Sequence, residues 1–325
     1  MKIAYFSCST MYGGVEKIVI ETLNELCKDN EILLIVPRGC QYKNQLDSKV
    51  TIYEYKSYDT RYNPFLYAEI YKVLKDFSAQ ILHSHAAKAT QIGFVISKFM
   101  DFKFIATKHN NRKGKIFNRV KNVICVSKAV ANTVNHETKT LYFGIKNQAI
   151  KRDLPDIFTI TAVGRLDPIK GFDQLIKSVQ ILDFPFVLQI IGDGKEKENL
   201  QNLINELGLN DKVKLLGFKS NIAQILANSH LQVISSLKEG FPISLIEGIF
   251  YSNIIISTPA GGGIEEILDK KFICLHKDLA CKIQETYENQ VKFSKIFQDI
   301  HSKFRQILTF ENYILELKEY YKTGE

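Results

Sequence analysis

From end to end the chain alternates short β-branched apolar runs with longer amphipathic stretches. In the first half the runs are Ile3–Ser7, Ile32–Val36, Val50–Tyr55, Ile81–His83, Phe104–Thr107 and Val123–Val126. Several are apolar at nearly every position, as suits parallel strands covered on both faces. The stretches between them have a helical period: over 15–28, Val15, Ile18, Val19, Thr22, Leu23 and Leu26 share one face. In the second half the runs are Phe158–Val163, Val187–Ile191, Val213–Leu216, Leu231–Ser235, Ile254–Ser257 and Phe272–Leu275. Helical patterns there fall near 171–182, 195–207, 221–227, 243–251 and 278–289. The expected architecture is two doubly wound α/β domains, and 325 residues suit two domains of roughly 100–200 residues each.

The boundary is expected near 145–156, a polar stretch with Pro155 and no strong period. This divides the chain into 1–150 and 151–305, with a helical tail. In the tail Ile296, Ile300 and Phe304 are read as one face, and Phe310, Ile314, Leu317 and Tyr321 as another. A stripe that apolar must dock.

Composition is that of a globular chain, 45% hydrophobic and 24% charged, which excludes a disordered, collagen-like or polytopic membrane protein. The formal charge of +8 is uneven: residues 1–150 hold 22 basic and 12 acidic side chains, leaving 21 and 23 for the rest. The halves should therefore meet different partners. The apolar stretch 240–257 has Glu247 at its centre and reads as a buried helix then a strand, not a span. The N-terminus lacks the apolar core of a signal peptide. Six cysteines without a CxxC pair are expected to be reduced, mostly buried thiols of a cytoplasmic protein.

Two segments could carry chemistry. In 235–248, SSLKEGFPISLIEG, Glu239 precedes a helix expected to start near Pro242, and Glu247 lies within it. Free N–H groups and a positive dipole end at the helix start suit a phosphate. Two flanking carboxylates suit sugar hydroxyls. On spacing alone, a surface glutamate beside a helix cap and a solvated one is the better reading. In 163–171, VGRLDPIKG, Arg165 and Lys170 share a strand-to-helix loop at the carboxyl end of a strand, where open α/β sheets bind ligands. Arginine can grip phosphate bidentately and lysine adds a point charge. Taken alone, a solvated basic loop fits as well. His83 and His85 are too sparse for a metal site, and Gly192-Asp193-Gly194 is a tight turn, not a dinucleotide fingerprint.

The segments GRLDPIKGF, EGFPISLIEG and TPAGGGIEEIL, in that order, resemble glycosyltransferase family 4, retaining enzymes of the GT-B fold. MYGGVEK, ATKHN and VICVSKAV fit the N-terminal domain of the same family, so the resemblance spans essentially the whole chain. It implies two Rossmann-like domains facing a central cleft. Residues 1–150 would bind the acceptor, 151–305 the nucleotide-sugar donor, and 306–325 would cross back to the N-terminal domain. It further implies that Arg165 and Lys170 neutralise the donor diphosphate, that Glu239 sits by the transferred sugar and that Glu247 binds the ribose. Backbone N–H groups of Phe241, Ile243 and Ser244 would line the diphosphate, and Gly217 and Phe218 would hold the base. Gly13 and Gly14 would approach the donor phosphates from the other domain, and His109 would face the reacting centre.

Ser235 stands where many relatives have proline, Gly248 where alanine is usual, and Asn253 where glycine commonly ends the helix, asparagine tolerating the left-handed conformation expected there. Lys238 adds a charge beside Glu239. No Asp-x-Asp occurs, so a metal-independent reaction is expected, with Arg165 and Lys170 serving the leaving group. The implied reaction is front-face transfer of a hexose or similar sugar to a hydroxyl of a lipid-linked glycan, in lipopolysaccharide or other cell-surface polysaccharide assembly.

A basic cluster, Lys98, Lys103, Lys108, Arg112, Lys113, Lys115, Arg119 and Lys121, is interleaved with phenylalanines, of which Phe99 and Phe117 are expected to be exposed and Phe104 core. An anionic inner-leaflet surface fits it, making the protein peripheral on the membrane. Nucleic acid does not, for want of a recognised module. Two other functions are open. One is a catalytically silent GT-B partner protein, against which the intact Arg165, Lys170, Glu239 and Glu247 speak. The other is an epimerase of similar fold, which would isomerise the donor without an acceptor.

Overall fold

The computed structural model describes residues 1–324. The chain forms two compact units, one comprising Met1–Tyr142 and the segment from Tyr313 onward, the other Phe143–Asn312. The boundary expected at 150 and the return expected from 306 fall instead at 142 and 313.

Unit 1 is built on a seven-stranded parallel sheet: β1 (Lys2–Ser7), β2 (Glu31–Pro37), β3 (Val50–Tyr55), β4 (Ile81–His85), β5 (Lys103–Lys108), β6 (Asn122–Cys125) and β7 (Lys139–Thr140). Its order is β3-β2-β1-β4-β5-β6-β7. The helices are α1 (Gly14–Leu26), α2 (Pro64–Phe77), α3 (Ala86–Ile96) and α4 (Lys128–Ala131). Local chemistry sets their ends. Asn63 accepts from Phe65 N–H at 3.1 Å ahead of Pro64, and Ser127 accepts from Val130 N–H.

Unit 2 has a five-stranded parallel sheet: β8 (Phe158–Val163), β9 (Phe186–Ile191), β10 (Val213–Gly217), β11 (Leu231–Ile234) and β12 (Ile255–Ser257), in the order β10-β9-β8-β11-β12. Its helices are α5 (Phe172–Val179), α6 (Lys197–Glu206), α7 (Ile222–Ala227), α8 (Ile243–Tyr251), α9 (Ile264–Ile267), α10 (Leu279–Glu288) and α11 (Gln290–Ile307); α12 (Phe310–Thr323) follows. In both sheets the order reverses beside the first strand, between β1 and β4 and between β8 and β11. The crevice outside the carboxyl ends there is where such sheets take ligands.

The expected strand at Phe272–Leu275 does not form. Ile273 makes one isolated bridge to Ser257, while Phe272 turns into a ring cluster with Phe293 and Phe297. That cluster also corrects the tail. The buried row of α11 is Phe293, Phe297 and His301, one turn apart, while Ile296, Ile300 and Phe304 are half-buried. The second expected face holds: Phe310, Ile314, Leu317 and Tyr321 are buried. The stretch 240–257 forms helix α8 and strand β12, and among the described residues no helix is long and apolar enough to cross a membrane. All six cysteines are free; Cys27, Cys40 and Cys125 are buried, Cys8 and Cys274 half-buried and Cys281 exposed.

Candidate functional site

In unit 2 the switch point brings two loops together. One runs from the end of β8 through Arg165 to Lys170; the other leaves β11 and reaches α8. β8 and β11 pair at Leu231–Ile160 and Gln232–Thr161, the middle of β8 and the start of β11. Lys170 Nζ donates to Glu239 Oε1 at 2.6 Å, and Ser236 Oγ donates to the same oxygen at 2.6 Å. Both charged side chains are largely buried, at 21% and 11% exposure. Arg165 lies in the same loop, half-exposed, its Nη2 3.9 Å from Asp167. Asp167 in turn caps the short turn that delivers Lys170, accepting from Ile169 N–H.

Backbone joins the two loops as well. Leu237 N–H donates to Ile169 O at 2.8 Å, Ser235 Oγ donates to Lys170 O at 2.8 Å, and His276 Nε2 lies 2.8 Å from Ser235 O. Gly171 has φ +62°, and a Cβ there would stand 2.2 Å from Ser235 O, so the approach of the loops requires glycine. Ser235 thus has a use that the proline usual at its position could not supply.

Helix α8 begins beside this pair. Pro242 is its N-cap in extended conformation, not its first turn as expected. Among the described residues, the N–H groups of Ile243 and Ser244 have no backbone or side-chain partner. These are the orphan donors that attract an anion to a helix start. Phe241 is buried, and Glu247 is buried within α8. The departure at Gly248 has a physical cause. A Cβ there would meet Gln232 Oε1 at 2.1 Å, and that buried glutamine donates to Ser244 O at 2.7 Å, bracing the first turn. Asn253 is not left-handed, because α8 ends with Ser252 extended; its side chain accepts from Ser294 Oγ at 2.8 Å. Lys238 is exposed. Gly217 ends β10 with φ +67°, and Phe218 beside it is 63% exposed.

In unit 1 the carboxyl ends of β1, β4 and β5 carry a different cluster. Gly13 is the N-cap of α1 and Gly14 its first residue. His109 stacks on His85, with His85 Nδ1 and His109 Nε2 3.0 Å apart. His83 lies 2.7 Å from the Tyr321 hydroxyl and 2.6 Å from Thr107 Oγ1, and Tyr321 also bonds Tyr5. Burial pushes His83 down to about 3 and His109 to about 4, and holds His85 well below the usual imidazole range. All three are neutral at pH 7. Ala86, directly after His85, takes φ +66°, a strained conformation at the start of α3. Beside them Lys88 bonds Asp59 at 2.5 Å, and Asp59 accepts from Tyr55 at 2.8 Å. Sequence reasoning missed Ser236, His276, Ala86 and the Lys88–Asp59 pair; Ser236 lies within 235–248 without being singled out there, and the others fall outside both segments.

The basic cluster is smaller than its sequence suggests. Lys108 is buried, donating to Asn110 O and Arg112 O beneath the ring of Phe117, and Phe117 is buried too, contrary to expectation. Lys103 donates to the carbonyls of Tyr320 and Tyr321 at the end of α12, a favourable place for a cation. Lys98, Arg112, Lys113, Lys115, Arg119 and Lys121 remain exposed, with Phe99 at 72% exposure. Phe104 is core. Among the described residues, no group of three or more His, Cys, Asp or Glu is placed to hold a metal ion.

Residues 145–300 match the family model described as glycosyl transferases group 1, and residues 12–140 that of glycosyltransferase family 4. The uncharacterized glycosyltransferase MJ1178 of Methanocaldococcus jannaschii is 24% identical over 99% of this chain and 98% of its own. A Campylobacter jejuni enzyme, named as an α-1,4-N-acetyl-D-galactosaminyltransferase acting on a diphospho-undecaprenol-linked glycan, is 24% identical over 82% of each chain. Anabaena Alr3699/HepE, solved in complex with UDP-glucose, superposes with a TM-score of 0.86 over 99% of both chains at 19% identity, a likeness of fold.

Proposed function

Because the chain belongs to the family 4 glycosyltransferases of the GT-B fold, and is thus a transferase, we propose that it moves a sugar from a nucleotide-diphosphate donor to a glycan hydroxyl with retention. The observation that carries this reading is the Lys170–Glu239 pair at 2.6 Å beside the start of α8. It sets a cation, a carboxylate and free N–H donors together at the switch point. Arg165 and Lys170, with the N–H groups of Ile243 and Ser244, bind the diphosphate and stabilise the charge that grows as the leaving group departs. These groups do that work without a metal ion. Glu239 accepts hydrogen bonds from the transferred sugar, and Glu247 serves the ribose. Gly217 and Phe218 border the base. Unit 1 takes the acceptor, with His109 facing the reacting centre, while Gly13 and Gly14 let its backbone approach the donor phosphates. As the family resemblance implies, the reaction is a front-face displacement assisted by the leaving group. The HepE complex, the Campylobacter enzyme and a Rhizobium meliloti relative named for lipopolysaccharide core biosynthesis support a nucleotide-sugar donor and a lipid-linked glycan acceptor in surface polysaccharide assembly.

The direct test is calorimetric titration with UDP, GDP, ADP and their hexose conjugates. One nucleotide series should bind, and Arg165→Ala should weaken it at least tenfold, since a charge-assisted bond is worth about 1.5–3 kcal/mol. Folded protein that binds none of them would overturn the reading.

The six exposed cations of the basic cluster, with exposed Phe99, would hold the enzyme at the anionic cytoplasmic face of a membrane. At about 1 kcal/mol per basic residue, vesicles containing phosphatidylglycerol should sediment the protein at low salt and release it at high salt. Combined charge reversal at Arg112, Lys113 and Lys115 should abolish sedimentation. Equal binding to neutral vesicles would refute this attachment.

A further inference from the structure

A second polar cavity, of about 390 Å³, lies in unit 2 at the far end of α8. The nine residues of α8 put it about 13 Å along the helix axis from the Ile243 end. Its walls come from 147–152, the end of α8 and one face of α11, and no carboxylate lines it. Two arginines do. Arg305 donates through Nε and Nη2 to the carbonyls of Ile249 and Phe250, at 2.8 and 2.6 Å. Arg152 Nη2 reaches those of Tyr251 and Ser252, at 3.2 and 3.4 Å.

Capping the negative end of α8 accounts for those contacts but not for the rest of each guanidinium. Five N–H donors are available on each. Among the described residues, Nη1 of both arginines and Nε of Arg152 have no partner, and neither arginine is paired with a carboxylate. His301 stands between these walls, 4% exposed, with a buried Nε2 that has no hydrogen-bond partner. A buried polar atom without a partner is costly, and this one is not satisfied by any protein group. Burial, and then the positive fields of Arg305 and Arg152, hold His301 down at about 3, and no carboxylate in the lining offsets the two guanidinium charges. Hydroxyls and amides of Ser302, Gln298 and Gln148 complete the lining.

We propose that this cavity binds a phosphate monoester, its phosphoryl group gripped by the spare donors of Arg152 and Arg305. Forked guanidinium donors match phosphate oxygens, and the amide and hydroxyl rim suits a small hydroxylated ester group. The site is separate from the loops of Arg165 and Lys170, and it stands or falls without them.

The experiment is calorimetric titration of the whole protein at low ionic strength with inorganic phosphate and with glycerol 3-phosphate. Both should bind at one site per chain, the ester more tightly. Arg152→Gln, which loses a cap on α8 and should lower melting by no more than a few degrees, should weaken both at least tenfold. Arg165→Ala should leave both unaltered. Failure of either probe to bind, or binding indifferent to Arg152→Gln, overturns the proposal. So does binding abolished by Arg165→Ala, which would place the phosphate in the donor loops instead.

Discussion

Glu239→Gln should lower kcat by roughly a hundredfold or more, since each charge-assisted bond it disturbs is worth about 1.5–3 kcal/mol and each 1.36 kcal/mol is tenfold in rate. Two bonds are affected. The carboxylate proposed to orient the sugar becomes a neutral amide, and Lys170 loses the negative charge opposite its ammonium, keeping only a neutral acceptor. The amide oxygen can still accept from Ser236 Oγ, so the loop keeps one anchor, and its other ties run through backbone and Ser235. Melting should therefore shift by only a few degrees, at about 2–4 °C per kcal/mol for a unit of this size. Ser236→Ala provides the comparison, because it keeps both charges and removes one neutral donor; it should cost no more than about tenfold. Single-turnover assays with circular dichroism as the folding control would measure both variants. Folded Glu239→Gln protein with undiminished turnover would remove Glu239 from the reaction.

What could be read from the sequence follows from range. Strands buried on both faces are continuous apolar runs, so eleven of the twelve predicted runs coincide with strands in the structure. The loops of Arg165, Lys170 and Glu239 were legible because glycine and proline punctuate strand ends. Contacts made across the fold leave no such period. His276 reaches Ser235 from 41 residues away, and nothing in KFICLHKD announces it. Phe272–Leu275 has a strand's composition, but its phenylalanine is more fully buried against Phe293 and Phe297 than at a sheet edge. Charge density misled in the same manner at Lys108, whose ammonium is satisfied by carbonyls of its own loop. Gly248 was visible as a departure, but its reason, the Gln232 amide, needed coordinates.

The histidine cluster of unit 1 predicts acid sensitivity. His83, His85 and His109 are neutral in the fold, with burial the largest cause in each, and would titrate near 6.5 in an unfolded chain. As pH falls below about 6.5, the unfolded chain takes up protons that the native state refuses. The stability present above that pH is then lost progressively down to the folded values near 4 and 3. Each such histidine contributes a slope approaching about 1.4 kcal/mol per pH unit, so three together approach about 4 kcal/mol per unit near pH 5. Against a typical total of about 5–15 kcal/mol, that is enough to unfold the unit between about pH 5 and 4. The loss should reach α12 first, because His83 bonds Tyr321, and a protonated His83 would be a charge beside a dry hydroxyl pair. Denaturant titrations at half-unit intervals from pH 7.5 to 4.5 would give the slope. His83→Gln can still hydrogen-bond but cannot titrate, and it should remove about a third of it. A stability profile that stays flat through pH 5 would mean that the three imidazoles are not held neutral by the fold.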